Sequence, residues 1–580
     1  MALPKSVVEG RTVTRTVHKD IKIKKQQIDH ARQIEKEFKL SAVASRVLAA
    51  RGFSADDKLK HFISPTLKEG LPEPNKLKGL GKACKLIAEV VAQGGKIAIC
   101  CDFDVDGLSG GAQVQDFLSV AGVKSKVFVP DRFEEGYGLN EGMIERIAKE
   151  GYALVITIDY GTTNVKELTL AHSLGLKTVV VDHHHVSGAN PPCDVFINPN
   201  QKGCGFADKT LCAAGLAWYL LMGLRQAIPS ASGIDIRNYL DLACLGTICD
   251  MVPLIGANRV IAKKGLETLG RSIRPGVVAL RRVVGIKSCE VSCGEISFGI
   301  GPRLNAAGRM VHGETVIDLL TTKDQSNADR IAKELNDFNL QRQEVEARVK
   351  ELAIRDIEER GEIPKALVVW DPDFHTGVIG IVAQRLVEIY YRPAVVMGAD
   401  KEGIFKGSVR GVKGFSVVEA LAAVSEHLVK YGGHEGAGGL SIEEGRLQDF
   451  AEAFTRECES RLDGLPTSPS AEADTEASIG EISVDLVNEL RGFSPFGVGN
   501  PGPLLLLKNV VVADLRVLKG NHTKVLFKDG DRFLHGMLWR QSEHPALIKG
   551  RNVDVVCRPD LNNFQGVISL QATIEAIRAA

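Results

Sequence analysis

Hydrophobic positions in the first half of the chain fall into short runs that alternate with segments of helical period. The runs at 97–101, 126–129, 154–158 and 178–181 have the length of buried strands. The segments between them repeat apolar residues at the spacing of amphipathic helices. Strands that alternate with helices in this way predict an α/β fold built on a parallel sheet.

A second α/β pattern follows a long predicted helix. Residues 326–360 lack glycine and proline and are rich in Ala, Glu, Lys, Arg and Leu, so they predict a helix that connects two lobes. Beyond it the pattern predicts a strand at 366–370, a helix at 378–390 and a strand at 394–397, and it closes on the glycine cluster at 432–439.

The C-terminal part has the pattern of a small β-barrel. Residues 464–479 combine serine, proline and acidic residues and predict a flexible linker. Short β-type runs then recur, broken by Gly, Asp and Asn, as expected for a barrel of the OB type. These runs lie at 510–513, 524–527, 553–557 and 566–570. The predicted organisation is an N-terminal extension and lead-in (1–90), a first α/β domain (91–325), the helix (326–360), a second α/β domain (361–463), the linker (464–479) and the barrel (480–580).

Composition excludes several classes of protein. The 580 residues contain 72 Lys and Arg against 72 Asp and Glu, so no global field attracts a polyanion, and any nucleic-acid surface must be local. The longest apolar clusters, such as 504–507, fall far short of the ~20 residues of a membrane helix. The twelve cysteines show no C-x-x-C spacing and are expected to be reduced thiols of a cytoplasmic protein.

Residues 1–40 carry ten basic residues against five acidic ones but lack the apolar core of a secretory signal. We expect a solvated and partly frayed N-terminus rather than a targeting segment.

Three carboxylates alternate where the first predicted strand gives way to a helix, at Asp102, Asp104 and Asp106. Hard divalent cations prefer such oxygen ligands. A calcium-binding EF-hand loop begins in the same way, but here its twelfth position would be Gln113 instead of a bidentate Glu, and a strand precedes the motif. A second alternative is that these acids only cap the helix that follows.

Two further strands are followed by possible ligands. Asp159 ends the run at 154–158, and Asp182, His183, His184 and His185 follow the run at 178–181. One such Asp would more often be a helix cap, but the carboxyl ends of parallel strands meet at the edge where α/β folds form their sites. Because consecutive side chains after a strand point to opposite sides, one imidazole can bind metal while the next meets the substrate.

A fourth possible ligand is Asp250, at the end of a helical segment. Carboxylates with one or two imidazoles suit Mn²⁺ or Mg²⁺ better than Zn²⁺. Two such ions ~3.5–4 Å apart, bridged by a carboxylate, activate water and stabilise in-line phosphoryl displacement. The motifs therefore predict a metal-dependent phosphoryl hydrolase.

In this order, the four motifs resemble the DHH phosphoesterase superfamily, whose signature is Asp182-His183-His184 here. Further segments resemble one of its families, the bacterial single-strand-specific 5′-to-3′ DNA exonucleases, from about residue 40 onward. These segments lie at 298–309, 375–382, 407–410, 432–434 and 495–503, and the last matches the entry to that family's oligonucleotide-binding barrel.

The resemblance implies a set of roles for the site. Two Mn²⁺ or Mg²⁺ ions would be held with Asp159 as the bridge, His184 would contact the scissile phosphate, and Asp182 would orient the metal-binding imidazole. Arg303 would spread the developing charge and, with Asn305 and Arg309, clamp the phosphate backbone. The implied metal ligands are Asp102, Asp104, Asp106, Asp159, His183 and Asp250, and the implied terminus-binding residues are Arg132, His375, Ser408, Arg410 and His434.

Alternatives remain for several of these residues. Asn305 would otherwise cap a turn, Arg309 would pair with an internal acid, and His375 would be only a loop residue. The additional His185 leaves the register of the histidine pair open. Glu435 and Gly436 replace the small or amide residues that other members often have after His434.

The resemblance further implies a function in DNA recombination and repair. The enzyme would degrade single-stranded DNA to mononucleotides, as a monomer, with a groove between its lobes that admits one strand. Candidate protein partners are a single-strand binding protein and a helicase. Because no predicted ligand lies in 480–580, a chain stopped near Ala477 is expected to keep hydrolysis but to lose its grip on long strands.

Two rival functions stay open. A superfamily enzyme that acts on pyrophosphate, short oligonucleotides or cyclic dinucleotides would generally lack the barrel. A non-catalytic nucleic-acid-binding scaffold would have lost ligands, whereas every implied ligand is present here.

Overall fold

The computed structural model describes residues 19–130, 138–310, 313–400, 403–564 and 567–580. Its strands are numbered in chain order: β1 (Asp20–Ile23), β2 (Lys96–Cys101), β3 (Ser125–Phe128), β4 (Tyr152–Ile158), β5 (Lys177–Val181), β6 (Val195–Ile197), β7 (Leu367–Trp370), β8 (Ala394–Ala399), β9 (Phe405–Arg410), β10 (Lys430–Gly433), β11 (Ala437–Ile442), β12 (Ser470–Ala473), β13 (Thr475–Glu476), β14 (Leu505–Leu518), β15 (His522–Asp529), β16 (Arg532–Leu538), β17 (Asn552–Phe564) and β18 (Val567–Ala579).

The α-helices are numbered in the same way: α1 (Ile28–Phe38), α2 (Ala42–Ala50), α3 (Asp57–Ile63), α4 (Leu80–Ala92), α5 (Val105–Val120), α6 (Glu141–Lys149), α7 (Val165–Ser173), α8 (Ala213–Ala227), α9 (Leu240–Cys249), α10 (Gly256–Gly270), α11 (Pro275–Val284), α12 (Gly301–Met310), α13 (Glu314–Thr321), α14 (Gln325–Glu359), α15 (Ile379–Tyr390), α16 (Val417–Ala423), α17 (Leu447–Arg461) and α18 (Val484–Gly492). A π-helical turn, Glu295–Ile300, leads into α12. In the described residues, no helix combines the length and apolar character that a membrane crossing requires.

The chain divides into two compact units. The parallel-sheet unit contains Asp57–Arg342 and Phe493–Gly502. The mixed-sheet unit contains the chain up to Asp56, Gln343–Gly492 and Pro503–Ala580. Helix α14, predicted at 326–360, is found at Gln325–Glu359 and carries the chain from the first unit into the second.

The parallel-sheet unit is built on five parallel strands in the order β3-β2-β4-β5-β6. Alternate residues of β2 enter two different hydrophobic clusters, with Ile97 and Ile99 in one and Ala98 and Cys100 in the other. Both faces of the sheet are therefore buried, as the continuous apolar runs predicted.

The mixed-sheet unit contains a five-stranded sheet and the barrel. The sheet has the order β10-β11-β9-β8-β7, in which only β7 and β8 pair in parallel. The barrel strands β14-β15-β16-β18-β17 close on themselves because β17 also pairs with β14. The predicted second α/β lobe and OB-type barrel are confirmed.

The segment predicted as a flexible linker, 464–479, instead contains strands β12 and β13. Ala471 and Ala473 are buried, and β12 pairs in parallel with β1, which belongs to the stretch expected to be a frayed terminus. Asp474 is also buried and binds Arg51 and Lys24, each at 2.8 Å. The prediction failed because alternating alanines are a weak apolar signal and because the partner strand lies at the other end of the chain. Residues 1–18 lie outside the described residues.

Candidate active site

The site residues of the parallel-sheet unit lie at the carboxyl edge of its sheet. Cys101 pairs with Ile158, Ile158 with Val181, and Val181 with Ile197. The next residue of each strand, in the same register, is polar: Asp102, Asp159, Asp182 and Asn198. The predicted convergence of strand ends is therefore present, with Asn198 as a fourth member.

The loop after β2 shows why its three acids alternate. Asp104 is the N-cap of α5, and its Oδ1 accepts hydrogen bonds from the backbone of Asp106 at 2.9 Å and Gly107 at 3.1 Å. Helix capping, one of the alternatives, thus applies to one oxygen of Asp104. A Cβ on Gly107 would lie 2.7 Å from backbone atoms of Asp102, so only glycine permits this close turn.

Asp106 is anchored by the N-terminus of α8. Its Oδ2 accepts a hydrogen bond from the backbone N–H of Ala213 at 2.7 Å, and its Oδ1 accepts one from Ala214 at 2.8 Å. These amides stabilise a buried negative charge and fix the carboxylate plane. Sequence reasoning missed them because backbone donors leave no signature in residue type.

His183 lies among the carboxylates. Its Nε2 is 3.2 Å from Asp159 Oδ1, 3.7 Å from Asp250 Oδ2 and 3.9 Å from Asp106 Oδ2. Three sets of possible ligand atoms each fall within 4.8 Å of one another: Asp159 with His183 and His184, Asp106 with His183 and Asp250, and Asp102 with Asp104 and Asp159. Asp159 and His183 each belong to two sets. All six implied ligands are thus brought together.

Asp159 is buried, and several other carboxylates act on it while His183 is the nearest basic group. Asp159 is 3% exposed with φ of 71°, and its Oδ1 accepts no hydrogen bond among the described residues. Burial raises the pKa of Asp159 well above its ordinary range, and the charges of Asp104, Asp106 and Asp102 raise it further. An orphaned carboxylate oxygen within a cluster of acids and one imidazole fits a hard divalent cation.

Asp250 is the C-cap of α9. Burial raises the pKa of its carboxyl to about 8, and the charges of Asp106 and Asp104 add to the rise. A nearby cation would therefore favour the ionised form of Asp250, as it would that of Asp159.

The structure distinguishes the three consecutive histidines. His183 faces the carboxylates, while the Nδ1 of His184 lies 2.7 Å from Asp182 Oδ1, and His185 is exposed. Asp182 therefore orients the imidazole of His184, and the expectation that it orients the metal-binding ring of His183 is wrong. The reason is the turn after β5, in which the same oxygen accepts the backbone N–H groups of both His183 and His184.

The Asp182–His184 pair is a charged one. The hydrogen bond to Asp182 raises the pKa of His184 to about 9. Burial opposes ionisation of Asp182, but hydrogen bonds from His184 and Thr162 outweigh it and hold the pKa of that carboxyl well below its usual range. With Nδ1 engaged, Nε2 is the ring nitrogen left to face a substrate.

Two asparagines after β6 hold the backbone of the histidine segment. Asn198 Nδ2 donates to the carbonyl of His184 at 2.9 Å, and Asn200 Nδ2 donates to that of His183 at 2.8 Å. Sequence reasoning missed both because β6 has only three residues. The detectable signal was a polar residue directly after the apolar triplet.

Helix α12 carries the implied phosphate clamp. The Nη1 of Arg303 donates to the Gly299 carbonyl at 2.7 Å, and its Nε donates to Asn336 Oδ1 at 3.1 Å. Burial lowers the pKa of Arg303, and no carboxylate among the described residues pairs with it. Asn305 lies inside the helix and does not cap a turn. The side chain of Arg309 and the whole of Arg132 lie outside the described part of the chain.

The mixed-sheet unit presents a separate polar site on β9. Arg410 Nη1 donates to Ser408 Oγ at 3.0 Å and to the Val409 carbonyl at 2.8 Å. Burial lowers the pKa of Arg410, again without a carboxylate partner in the described structure. A Cβ on Gly380 of α15 would approach Ser408 Oγ to 3.0 Å and Arg410 Nη2 to 3.2 Å, so this helix lies directly against the pair.

The two implied histidines of this unit differ in their surroundings. His375 Nδ1 accepts the backbone N–H of Gly377 at 3.0 Å, which favours the reading of His375 as a loop residue. His434 follows β10, and its backbone N–H donates to Ala437 across the β10–β11 hairpin. Its side chain is exposed.

The fold and the strand-edge cluster define a phosphoesterase of the DHH class. Residues 96–247 match the DHH family N-terminal domain, residues 364–460 the DHHA1 domain, and residues 473–576 the RecJ OB domain. The chain is 30% identical to the single-stranded-DNA-specific exonuclease RecJ of Escherichia coli K12, over 96% of this chain and 99% of that protein. The chain belongs to the RecJ family.

Other relatives agree. The RecJ of Haemophilus influenzae is 32% identical over 89% of this chain and 93% of its own length. The crystal structure of Thermus thermophilus RecJ in complex with Mn²⁺ is similar with a TM-score of 0.82 at 28% identity, covering 97% of this chain and 79% of that one. The Mg²⁺ complex of the same protein has a TM-score of 0.77 at 26% identity.

Proposed function

We propose that this chain is a single-stranded-DNA-specific exonuclease that removes 5′-mononucleotides in the 5′-to-3′ direction. The observation that carries the proposal is the cluster of carboxylates around His183, in which the buried Asp159 Oδ1 accepts no hydrogen bond among the described residues and lies 3.2 Å from His183 Nε2. Membership of the RecJ family supplies the class of substrate. The closed barrel disfavours the rival superfamily enzymes that act on small substrates.

Asp102, Asp104, Asp106, Asp159, His183 and Asp250 would hold two Mn²⁺ or Mg²⁺ ions. These ions would supply the Lewis acidity that activates water and neutralises charge during in-line displacement. Asp159 is proposed as the bridging carboxylate because it is the one carboxylate that belongs to two of the three ligand sets found among the described residues. Hydrogen bonds from the amides of Ala213 and Ala214 hold the carboxylate plane of Asp106 in place.

The remaining residues of this unit act on the phosphate. His184, locked by Asp182, would direct Nε2–H toward a non-bridging oxygen and stabilise the charge that develops there. Arg303, fixed by Gly299 and Asn336, would bind the backbone with Asn305 and Arg309.

The terminus is proposed to bind in the mixed-sheet unit. Arg410 and Ser408 form a half-buried, hydrogen-bonded pair without a carboxylate partner among the described residues, which suits a terminal phosphate. His434 belongs to this proposed set, and His375 has the weakest support because its Nδ1 is engaged in a turn. Arg132, which lies in the sequence of the parallel-sheet unit and outside the described residues, is proposed as a terminus-binding residue on the family resemblance alone.

The cellular setting is also a proposal. Cytoplasmic location is supported by the twelve cysteines, all of which are free. We further propose that the chain acts as a monomer in DNA recombination and repair, with a single-strand binding protein and a helicase as partners.

A single assay tests polarity, product and metal need. A long single strand labelled at either its 5′ or its 3′ end is digested with Mn²⁺, Mg²⁺ or chelator. We expect immediate release of labelled mononucleotide from the 5′ end, late release from the 3′ end, and no product with chelator. Early release of the 3′ label, or products longer than one nucleotide from the 5′ end, would contradict the proposal.

A further inference from the structure

Ten residues of the barrel domain's sequence belong structurally to the parallel-sheet unit. Phe493–Gly502, here called the insert loop, is part of that unit, although the chain on both of its sides belongs to the mixed-sheet unit. The match to the RecJ OB domain, residues 473–576, runs through it. The insert loop therefore packs within the unit that contains the carboxylates.

Arg259 of α10 binds the start of the insert loop. Its guanidinium is buried, with the residue 3% exposed, and donates to the carbonyls of Phe493 and Ser494, each at 3.0 Å. The same guanidinium donates to the carbonyl of Phe62 at 2.8 Å. Its central carbon, Cζ, lies 3.8 Å from the centroid of the Phe62 ring. A buried guanidinium is tolerated only when its forked donors are matched, so these carbonyls are held at fixed positions.

The insert loop is also closed on itself. Asn500, 4% exposed, donates from Nδ2 to the carbonyls of Phe493 at 3.0 Å and Pro495 at 2.8 Å. The backbones of Gly497 and Asn500 bond to each other in both directions. The loop is therefore rigid enough to hold what it contacts.

What the insert loop contacts is the turn that follows Asp250. The carbonyl of Val498 accepts the backbone N–H of Leu254 at 2.7 Å. Gly499, with φ of +75°, packs so closely that a Cβ there would lie 3.1 Å from the Cβ of Pro253. A Cβ on Gly497 would lie 2.8 Å from the Leu254 side chain.

This turn needs external support. Met251, directly after Asp250, has φ of 58°, a left-handed conformation that a non-glycine residue keeps only when its surroundings impose it. From the other side, Asn258 Nδ2 donates to the carbonyl of Pro253 at 3.2 Å. The turn is thus fixed between α10 and the insert loop.

We propose that the insert loop, anchored by Arg259, is a positioning element that sets the Asp250 carboxylate for metal binding. The proposal rests on the ligand role proposed for Asp250. It also changes an earlier expectation, since a chain stopped near Ala477 would lose the insert loop together with the barrel and should bind metal poorly.

The test is direct Mn²⁺ binding, measured on the full chain from the electron paramagnetic resonance of free Mn²⁺. The test variant is Gly499→Val. The matched control is Gly285→Val, because Gly285 lies in the same unit with φ of +84° and has open space around its Cβ position. Both variants impose similar backbone strain, but only the first displaces Pro253. Asp250→Ala is the reference for loss of the ligand itself.

We expect Gly499→Val to weaken one of two Mn²⁺ sites by about 10- to 100-fold, as loss of an outer supporting contact typically does. Gly285→Val should bind Mn²⁺ as wild type does, and Asp250→Ala should weaken the same site as Gly499→Val. Unchanged affinity in folded Gly499→Val, or an equal loss in Gly285→Val, overturns the positioning role while the ligand role of Asp250 stands. Normal binding by Asp250→Ala overturns the ligand role instead.

Asn500→Ala repeats the test without adding bulk if Gly499→Val does not fold. Removing Nδ2 loosens the insert loop but leaves the Pro253 contact free of any clash. The same site should weaken, and high Mn²⁺ should restore its occupancy. Wild-type affinity in this variant overturns the proposal.

Discussion

The carboxylate cluster in the parallel-sheet unit and the Ser408–Arg410 pair in the mixed-sheet unit are opposite in charge but alike in one respect. In the first, burial raises the pKa of Asp159 and Asp250 because acids outnumber bases. In the second, burial lowers the pKa of Arg410, which has no acid beside it in the described structure. Each site lacks the charge that its ligand would bring, a cation in one and a phosphate in the other.

Other buried charged residues of the same molecule, by contrast, are paired with residues of opposite charge. Arg274 lies 3.2 Å from Asp116 and 3.3 Å from Asp241, and Asp474 is satisfied by Arg51 and Lys24. Burial alone therefore does not mark a functional charge. The two proposed sites differ from these pairs because charge of one sign is in excess in each, which makes them candidates for ligand binding.

The largest effect should come from Asp159→Ala. Turnover should fall by more than the ~100-fold that loss of an outer partner costs, because the proposed bridge sets both ions. Without metal, the variant should unfold at the same temperature as wild type or higher, since a buried carboxylate surrounded by other acids has been removed.

The measurement for Asp159→Ala is digestion of labelled single strands, together with thermal unfolding in chelator and in Mn²⁺. Mn²⁺ should raise the unfolding temperature of wild type far more than that of the variant. A folded variant that retains substantial cleavage at saturating Mn²⁺ would rule out the bridge.

Asp474→Asn tests the opposite case, a buried carboxylate that is already paired with basic residues. Breaking a buried ion pair typically costs about 3–5 kcal/mol, so the free energy of unfolding should fall by that order while Mn²⁺ binding stays intact. Denaturant unfolding at neutral pH, with Mn²⁺ titration as the control, measures both. If the folded variant lost metal affinity, the distinction between the paired Asp474 and the carboxylates of the proposed metal site would not hold.

The same variant has a defined pH dependence. Burial would raise the pKa of Asp474, but Arg51 and Lys24 outweigh burial and lower it. A lowered carboxyl pKa stabilises the fold above the unfolded value of about 3.9, and the contribution is lost as the pH falls through the folded pKa. The difference in stability between wild type and Asp474→Asn should therefore shrink below about pH 4.

Arg410→Gln probes the site that lacks an anion. Hydrogen bonds to a charged group contribute about 1.5–3 kcal/mol, so the preference for a 5′-phosphate over a 5′-hydroxyl should fall by about 10- to 100-fold. The rate ratio on matched oligonucleotides with each end measures this effect. An unchanged ratio would mean that Arg410 only supports the fold or contacts the backbone.

His185→Ala should have the smallest effect. His185 is exposed, and surface substitutions usually change stability by no more than about 0.5 kcal/mol. Rates should therefore match wild type, whereas His183→Ala should abolish Mn²⁺-dependent cleavage. If, in a side-by-side assay, His185→Ala abolished cleavage and His183→Ala did not, His185 would take the metal-binding role proposed for His183.

Sequence patterns predicted the sheet edge because strands β2, β4 and β5 are continuous apolar runs that end in acids. They could not predict which imidazole Asp182 would bind, since that depends on the backbone turn after β5. The amide donors at Ala213 and Ala214 were equally hidden, because helix termini bind carboxylates through the main chain. The linker prediction failed because the buried residues of β12 are alanines, which give only a weak apolar signal in the sequence.

The location of the insert loop was also beyond sequence reasoning. Its resemblance to the family's motif predicted the entry to the barrel, and the family match agrees, yet its contacts are with Arg259 and Leu254. A segment can therefore belong to a different compact unit from the residues that precede and follow it in the chain.

Pairing of β1 with β12 has a consequence for synthesis on the ribosome. Lys24 and Asp474 are separated by 450 positions, so the first described strand emerges long before its partner exists. A nascent chain must carry this unpaired edge until residues 470–473 have left the exit tunnel. The early segment is therefore the one most in need of protection from other chains while translation continues.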